Sequence, residues 1–205
     1  MSKRFGFSPY AGIVSRTFSR LQTKKMSGIS FSSDWDEIAE RVRNDYGHYD
    51  GYFDTHIEKP PFVLLKDVHG TIEAYAKFTL VKWKFHRLPG PFGGLLVSIL
   101  PYIPFLRRLI KPKAHFFLCP DIISHGVDSN QLEKLFSAAL ALYNVNSIIW
   151  FVDPNDQVYH NVKDKLRWGI LDRIIGTKKV NVMVRNGKVN YSSKRPFFVN
   201  AFDLI

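Results

Sequence analysis

The chain has 205 residues, of which 45% are hydrophobic and 15% aromatic. It is long enough to bury one substantial core, and its composition excludes an intrinsically disordered protein. The single cysteine, Cys119, excludes an internal disulfide framework and a multi-cysteine zinc site. Because Cys119 lies inside an apolar run, a buried small side chain is favoured over a reactive thiol.

The formal net charge of +11 is concentrated toward the N-terminus. Residues 1–33 contain no acid and hold six basic residues: Lys3, Arg4, Arg16, Arg20, Lys24 and Lys25. Such a segment resembles an organelle transit peptide, and it fits equally a basic arm that binds anionic lipid, nucleic acid or a protein assembly. We expect residues 1–27, with the basic charges of 1–25, to form this arm or targeting segment outside a single domain of residues 28–205.

The first half of that domain predicts a strand, a helix and a hairpin. Residues 29–31 form a short strand, and Ser33 caps a helix with acids in its first turn and Ile38, Ala39 and Val42 on its apolar face. Residues 62–66 and 72–85 are strands joined by a turn at 67–70. The aromatic tract 46–61 between the helix and the hairpin is expected to be irregular or a short helix.

A hydrophobic and basic insertion follows at residues 88–113. Residues 88–106 carry no charge, but four prolines and three glycines interrupt them, so a continuous membrane-spanning helix is not expected. The insertion predicts a loop that packs over the core or contacts an anionic membrane surface.

The second half predicts a buried strand at 114–119, a loop, and an amphipathic helix at 129–143. A second buried strand follows at 147–152, with a turn at 153–155 and a helix at about 156–167. Two last strands are expected at about 173–185 and 197–204. The order predicts an α/β (α+β) domain with a mixed, mostly antiparallel sheet flanked by helices.

This order, with Pro120 and Gly126 in the loop after the fourth predicted strand, resembles the GCN5-related N-acyltransferase (GNAT) superfamily over residues 28–205. The acyl-CoA phosphate loop of that family has Arg or Gln where this chain has Ile123, and Gly or Ala where it has Asp128. An aspartate at a helix start competes for the N–H groups that a pyrophosphate needs. The loop therefore matches the family by position and departs from it in chemistry.

The resemblance implies an acyl-CoA or an acyl-carrier thioester as co-substrate, an amine as acceptor, and no metal. It places the general base at His115 or Asp121 and the general acid at Tyr159. The co-substrate would be bound by the backbone around Leu118 and Cys119 and by the loop and turn residues His125, Gly126, Val127, Ser129, Asn130 and Asn155. The histidines are scattered, with no spacing typical of a metal site.

Three functions remain open from the sequence. The first is an N-acyltransferase that acts in the cytoplasm or at a membrane surface. The second is an inactive GNAT-like subunit of a larger assembly. The third is a protein of the same fold that binds or modifies nucleic acid. An open space between the fourth and fifth strands would favour catalysis, and a space filled by side chains would favour the inactive domain.

Overall fold

A computed structural model describes residues 7–23, 28–32, 36–53, 61–84, 99, 102–104, 106–109, 111, 113–185 and 195–200. The strands are β1 (Phe7–Ser19), β2 (Ile29–Ser32), β3 (Phe62–Lys66), β4 (Ile72–Trp83), β5 (His115–Ile123), β6 (Ser147–Val152) and β7 (Lys178–Arg185). The helices are α1 (Asp36–Tyr46), α2 (Leu106–Leu109), α3 (Ser129–Leu142), α4 (Gln157–Val162) and α5 (Ile170–Ile175).

The seven strands form one sheet in the order β2-β3-β4-β5-β6-β1-β7. Only β5 and β6 are parallel among these strands, and every other neighbouring pair is antiparallel. The connection from β5 to β6 runs through α3, as a parallel pair requires. The predicted α/β class with a mixed, mostly antiparallel sheet is confirmed.

Helices cover both faces of the sheet. Val63 and Leu65 of β3 pack in one cluster with α3, whereas Phe62 and Leu64 pack in another with α1. Successive strand residues point to opposite faces, so α1 and α3 lie on opposite sides. Beneath α3, Phe136 meets Phe18 and Phe78 edge-to-face with ring centroids 5.2 and 5.8 Å apart.

The predicted boundary between an arm of residues 1–27 and the domain is wrong, because β1 lies inside the sheet. Val14 pairs with Val152 of β6, and Ser15 pairs with Lys178 of β7. Ile13 and Phe18 are buried. The apolar residues of this segment therefore complete the core, and β1 occupies the place between β6 and β7.

The basic residues of β1 and its end are neutralised by acids from distant helices. Arg16 makes a two-pronged contact with Asp172 of α5, with both N–O distances at 2.9 Å. Arg20 lies 2.8 Å from Glu133 of α3. Two of the six basic residues assigned to the arm thus stabilise the domain, while Lys3, Arg4, Lys24 and Lys25 lie outside the described residues.

Other predicted boundaries shift at glycines and strand ends. β5 continues past Cys119 to Ile123, and the helix expected to reach 167 ends at Val162. α5 replaces the start of the strand expected at 173–185, because Gly169 and Gly176 have φ of +102° and +68° and bound a separate helix.

Three predicted segments are only partly described. Of residues 197–204, Phe197 forms an isolated parallel bridge with Asp50, and 201–205 lie outside the description. The cap at Ser33 and most of the insertion also lie outside it. Among the described helices, none is long and apolar enough to cross a membrane.

Candidate functional site: a closed cleft between β5 and β6

The candidate site lies where the two parallel strands stop pairing. Their ladder within the described residues is one pair, Leu118 with Ile148. Beyond it, the ends of β5 and β6 line a space that is closed by α1 and by the segments around Asp156 and 197–199. The cavity left there is about 20 Å³, room for about one water molecule. Small-molecule sites are usually about 300–1,000 Å³.

A β-bulge places a carboxylate at this cleft. Pro120 pairs with Phe78 and Ile122 with Lys77, so Asp121 is the extra residue of β5. Asp121 is buried, lines the cleft, and accepts a 2.6 Å hydrogen bond from the Thr79 hydroxyl. Of the three catalytic candidates, only Asp121 lines this cleft.

The hydroxyl of Tyr46, at the end of α1, closes the cleft. It donates to the carbonyl of Ile123 over 2.6 Å and accepts from the N–H of the same residue over 2.9 Å. Both residues are buried. Each strand residue carries one backbone donor and one acceptor, so a single side chain satisfies both groups of Ile123 that face the cleft.

Tyr49 links the cleft to the predicted phosphate loop. Its hydroxyl donates to Asp156 over 3.0 Å and lies 3.1 Å from Nε2 of His125. Since the hydroxyl proton goes to Asp156, Nε2 of His125 donates to the Tyr49 oxygen. Burial lowers the pKa of His125, which the carboxylates of Asp45 and Asp156 oppose.

Asp45 anchors the other side of the same network. It accepts from the backbone N–H of His125 over 2.9 Å and from the Tyr75 hydroxyl over 2.6 Å. Burial raises the pKa of Asp156 and, together with Asp156, that of Tyr49. This network was not predicted from the sequence. Its signal was the spacing of Tyr46, Tyr49 and Tyr52 in the tract expected to be irregular.

The loop from Ser124 to Asp128 leads into α3. Side chains at the start of α3 already bind backbone N–H groups there. Asp128 accepts from the N–H groups of Asn130 and Gln131, at 2.7 and 2.8 Å, and the Gln131 side chain accepts from the N–H of Asp128. This is a capping box. Within the described residues, the N–H groups of Gly126, Val127 and Ser129 have no acceptor, and Val127 packs in the core.

His115 lies far from the cleft. It begins β5, six residues before Asp121, which is about 20 Å along an extended strand. Its ring stacks on Phe117, and burial together with nearby Lys111 lowers the pKa of His115 to about 4. His115 and Asp121, predicted as alternative bases, therefore do not line one site, and the role of His115 as general base stays a prediction.

Tyr159 and Asn155 also do not line the cleft. Tyr159 is buried against Trp150, with ring centroids 5.7 Å apart, and its side chain interacts with Arg16 of β1. Asn155 is exposed, and its N–H donates to Asp153 in the turn after β6. The predicted general acid thus belongs to the core rather than to the space between the strands.

Leu118 and Cys119 lie before the cleft rather than in it. Leu118 is fully buried under α3, and Cys119 is buried with Val81 and Phe117. Burial and the Asp121 carboxylate raise the pKa of the Cys119 thiol, as expected for an unreactive side chain. Among the described residues, no group of three His, Cys, Asp or Glu side chains could hold a metal ion.

No protein-family model matches the chain, and no curated protein sequence matches it. Two structures of Saccharomyces cerevisiae N-myristoyltransferase with bound myristoyl-CoA match at 10% identity and a TM-score of 0.49. They cover 79% and 85% of this chain and 48% and 47% of their own chains. The chain thus spans about half the length of these proteins.

Two further structures match at 10% identity. A probable N-acyltransferase from Enterococcus faecalis covers 89% of this chain and 41% of its own, with a TM-score of 0.42. A GCN5-related N-acetyltransferase from Anabaena variabilis covers 88% and 42%, with a TM-score of 0.41. Among the described strands, the sheet of this chain is mostly antiparallel with one parallel pair, β5 and β6, joined through the loop and α3. At this identity the likeness concerns the fold alone.

Proposed function

We propose that this chain is a catalytically inactive, GNAT-like structural or interaction domain that takes no acyl thioester between β5 and β6. The observation that carries the proposal is the double hydrogen bond between the Tyr46 hydroxyl and Ile123. An extended ligand between the strands would need these same backbone groups, because they face the gap. In this chain the buried Tyr46 side chain already binds both backbone groups of Ile123.

The energetics of opening favour this function. A thioester chain entering the cleft would displace Tyr46 and break its two hydrogen bonds to Ile123. It would also break the bond from Tyr49 to Asp156, whose carboxylate is buried. The ligand would itself pair with the Ile123 groups, so the cost falls on groups that stay buried without a partner, such as Oδ2 of Asp156 once Tyr49 leaves it. Each such group costs about 1–3 kcal/mol, which opposes binding in the cleft.

The loop before α3 adds an electrostatic cost. The Asp128 carboxylate occupies the N–H groups of Asn130 and Gln131, which lie at the positive end of the helix dipole. A pyrophosphate would compete with this carboxylate for the N–H groups and would be repelled by its charge. Three N–H groups remain, at Gly126, Val127 and Ser129, without a cationic side chain at position 123.

The test is direct titration of the full chain with acyl-CoA of short and long chain length and with an acyl-carrier thioester. We expect no heat of binding and no rise in melting temperature with any donor. Saturable binding that is lost in Asp121→Asn or in Gly126→Trp would overturn the proposal. Free CoA serves as a control for binding of the nucleotide alone.

A second candidate is an N-acyltransferase that moves an acyl group from acyl-CoA or a carrier thioester to an amine. It is favoured by the cleft's own chemistry, since Asp121 lines it and the His125–Tyr49 pair stands at its edge. In such a reaction the amine nitrogen bonds to the acyl carbon as the carbon–sulfur bond breaks. Asp121 would accept the amine proton, and Tyr49 would return a proton to the thiolate.

Turnover separates the two candidates. Release of free thiol from acyl-CoA in the presence of amines, with a rate lowered at least about 100-fold in Asp121→Asn, supports the enzyme. Absence of thiol release together with absence of donor binding supports the inactive domain. Thr79→Val is the matched variant, because it removes the hydrogen bond to Asp121 and keeps the carboxylate.

A further inference from the structure

The opposite end of the sheet carries an exposed surface that the closed cleft does not use. Leu80 of β4, Phe116 of β5 and Leu142 at the end of α3 are 45%, 41% and 44% exposed. Lys82 is the neighbour of Phe116 across the two strands, and its Nζ lies 5.5 Å from the centre of the Phe116 ring. Lys111 and Lys113 are exposed in the turn that precedes β5. We call these six residues the Leu80 surface.

The surface has a recess. A cavity of about 270 Å³ is lined by Leu80, Phe116 and Lys111, together with Leu109, His115 and residues 143–146 after α3. It is many times larger than the space in the β5–β6 cleft. Leu80, Phe116 and the cation Lys111 therefore border one concave site.

The charge of this region has one sign over a long stretch of chain. From residue 74 to residue 120 the sequence contains no aspartate or glutamate. Besides the buried Lys77, it contains seven basic residues: Lys82, Lys84, Arg87, Arg107, Arg108, Lys111 and Lys113. A run of cations without acids attracts a polyanion.

We propose that the Leu80 surface docks the protein onto an anionic lipid membrane. Exposed leucine and phenylalanine side chains beside lysines match an interface that is apolar inside and negatively charged at its surface. A nucleic acid would use the lysines but would leave the aliphatic side chains of Leu80 and Leu142 in water. This partner is independent of the β5–β6 cleft, so it stands whether or not a thioester binds there.

The test is flotation of the full chain with phosphatidylcholine vesicles, with and without phosphatidylglycerol, at low and high salt. We expect binding only with the anionic lipid, and weaker binding at high salt. Replacing the three lysines in Lys82→Gln, Lys111→Gln and Lys113→Gln lowers the partition coefficient about 100-fold, since each lysine near an anionic surface contributes about a factor of five. Leu80→Ser with Phe116→Ser lowers it at least about tenfold.

A control variant carries the same kinds of change on an exposed face elsewhere. Ile174→Ser with Lys178→Gln and Lys179→Gln alters exposed residues of α5 and β7, and we expect the partition coefficient to stay within about twofold of the original. Urea unfolding of every variant verifies the fold.

Three results would overturn the proposal. One is no flotation with anionic vesicles. The second is flotation that the serine variants leave unchanged, which would show that the apolar side chains play no part. The third is retention of duplex DNA or RNA at a salt concentration that releases the vesicles, with the same lysine dependence.

Discussion

The substitution Tyr46→Phe removes one oxygen atom from the closed cleft and keeps the aromatic ring. The ring still packs against Phe198 and His125, whose centroids lie 5.3 and 5.0 Å away. The change therefore isolates the two hydrogen bonds to Ile123, at 2.6 and 2.9 Å, from the apolar packing of the residue.

The magnitude follows from the burial of Ile123. Its N–H and carbonyl both lose their partner, and each unsatisfied buried group costs about 1–3 kcal/mol. The adjacent space of about 20 Å³ can hold one water molecule, which would satisfy part of the loss. We therefore expect Tyr46→Phe to lower the free energy of unfolding by about 3 kcal/mol, near the lower part of the combined range.

Urea unfolding followed by circular dichroism measures this loss. The midpoint should fall while the slope of free energy against urea stays unchanged, because the same surface is exposed on unfolding. Tyr102→Phe is the matched control, since Tyr102 is 84% exposed and its change should stay within about 0.5 kcal/mol. A Tyr46→Phe variant as stable as the Tyr102 control would refute the closed-cleft geometry and reopen the space to a ligand.

Three further perturbations test other parts of the fold. Asp128→Ala removes the cap of α3 and should cost about 1 kcal/mol in urea unfolding; no loss would mean that the capping box does not form. Gly169→Ala places a Cβ against the carbonyl oxygen of Ser19 at a φ of +102°, so we expect a cost of about 2–4 kcal/mol, and a neutral result would contradict this close approach. The pKa of His115 is lowered from 6.5 to about 4, so between these values the unfolded chain binds the proton first and stability falls as the pH falls. The loss of unfolding free energy reaches about 3 kcal/mol by pH 4, and it should be absent from His115→Gln. The prediction is refuted if His115→Gln keeps the pH dependence of the original chain, or if His69→Gln, the exposed control, loses that dependence as well.

Local patterns predicted the elements whose stabilising contacts are near in sequence. The apolar spacing of Leu132, Leu135 and Phe136 and the aspartate before them predicted α3 and its cap. The turn after Lys66 predicted the β3–β4 hairpin, because an Asp67 side chain accepts from the N–H groups of residues two and four positions later. These features need few distant partners, so the sequence determines them by itself.

The place of β1 and the closure of the cleft depend on distant partners. Arg16 and Arg20 contributed to the prediction of a basic arm at residues 1–27. The acids that pair with them, Asp172 and Glu133, lie more than 100 positions away in the chain. Tyr46 meets Ile123 across 77 positions. Ion pairs and hydrogen bonds between residues so far apart leave no periodic pattern in the local sequence. Only the folded sheet therefore decides that the basic segment is a core strand and that the β5–β6 gap is filled.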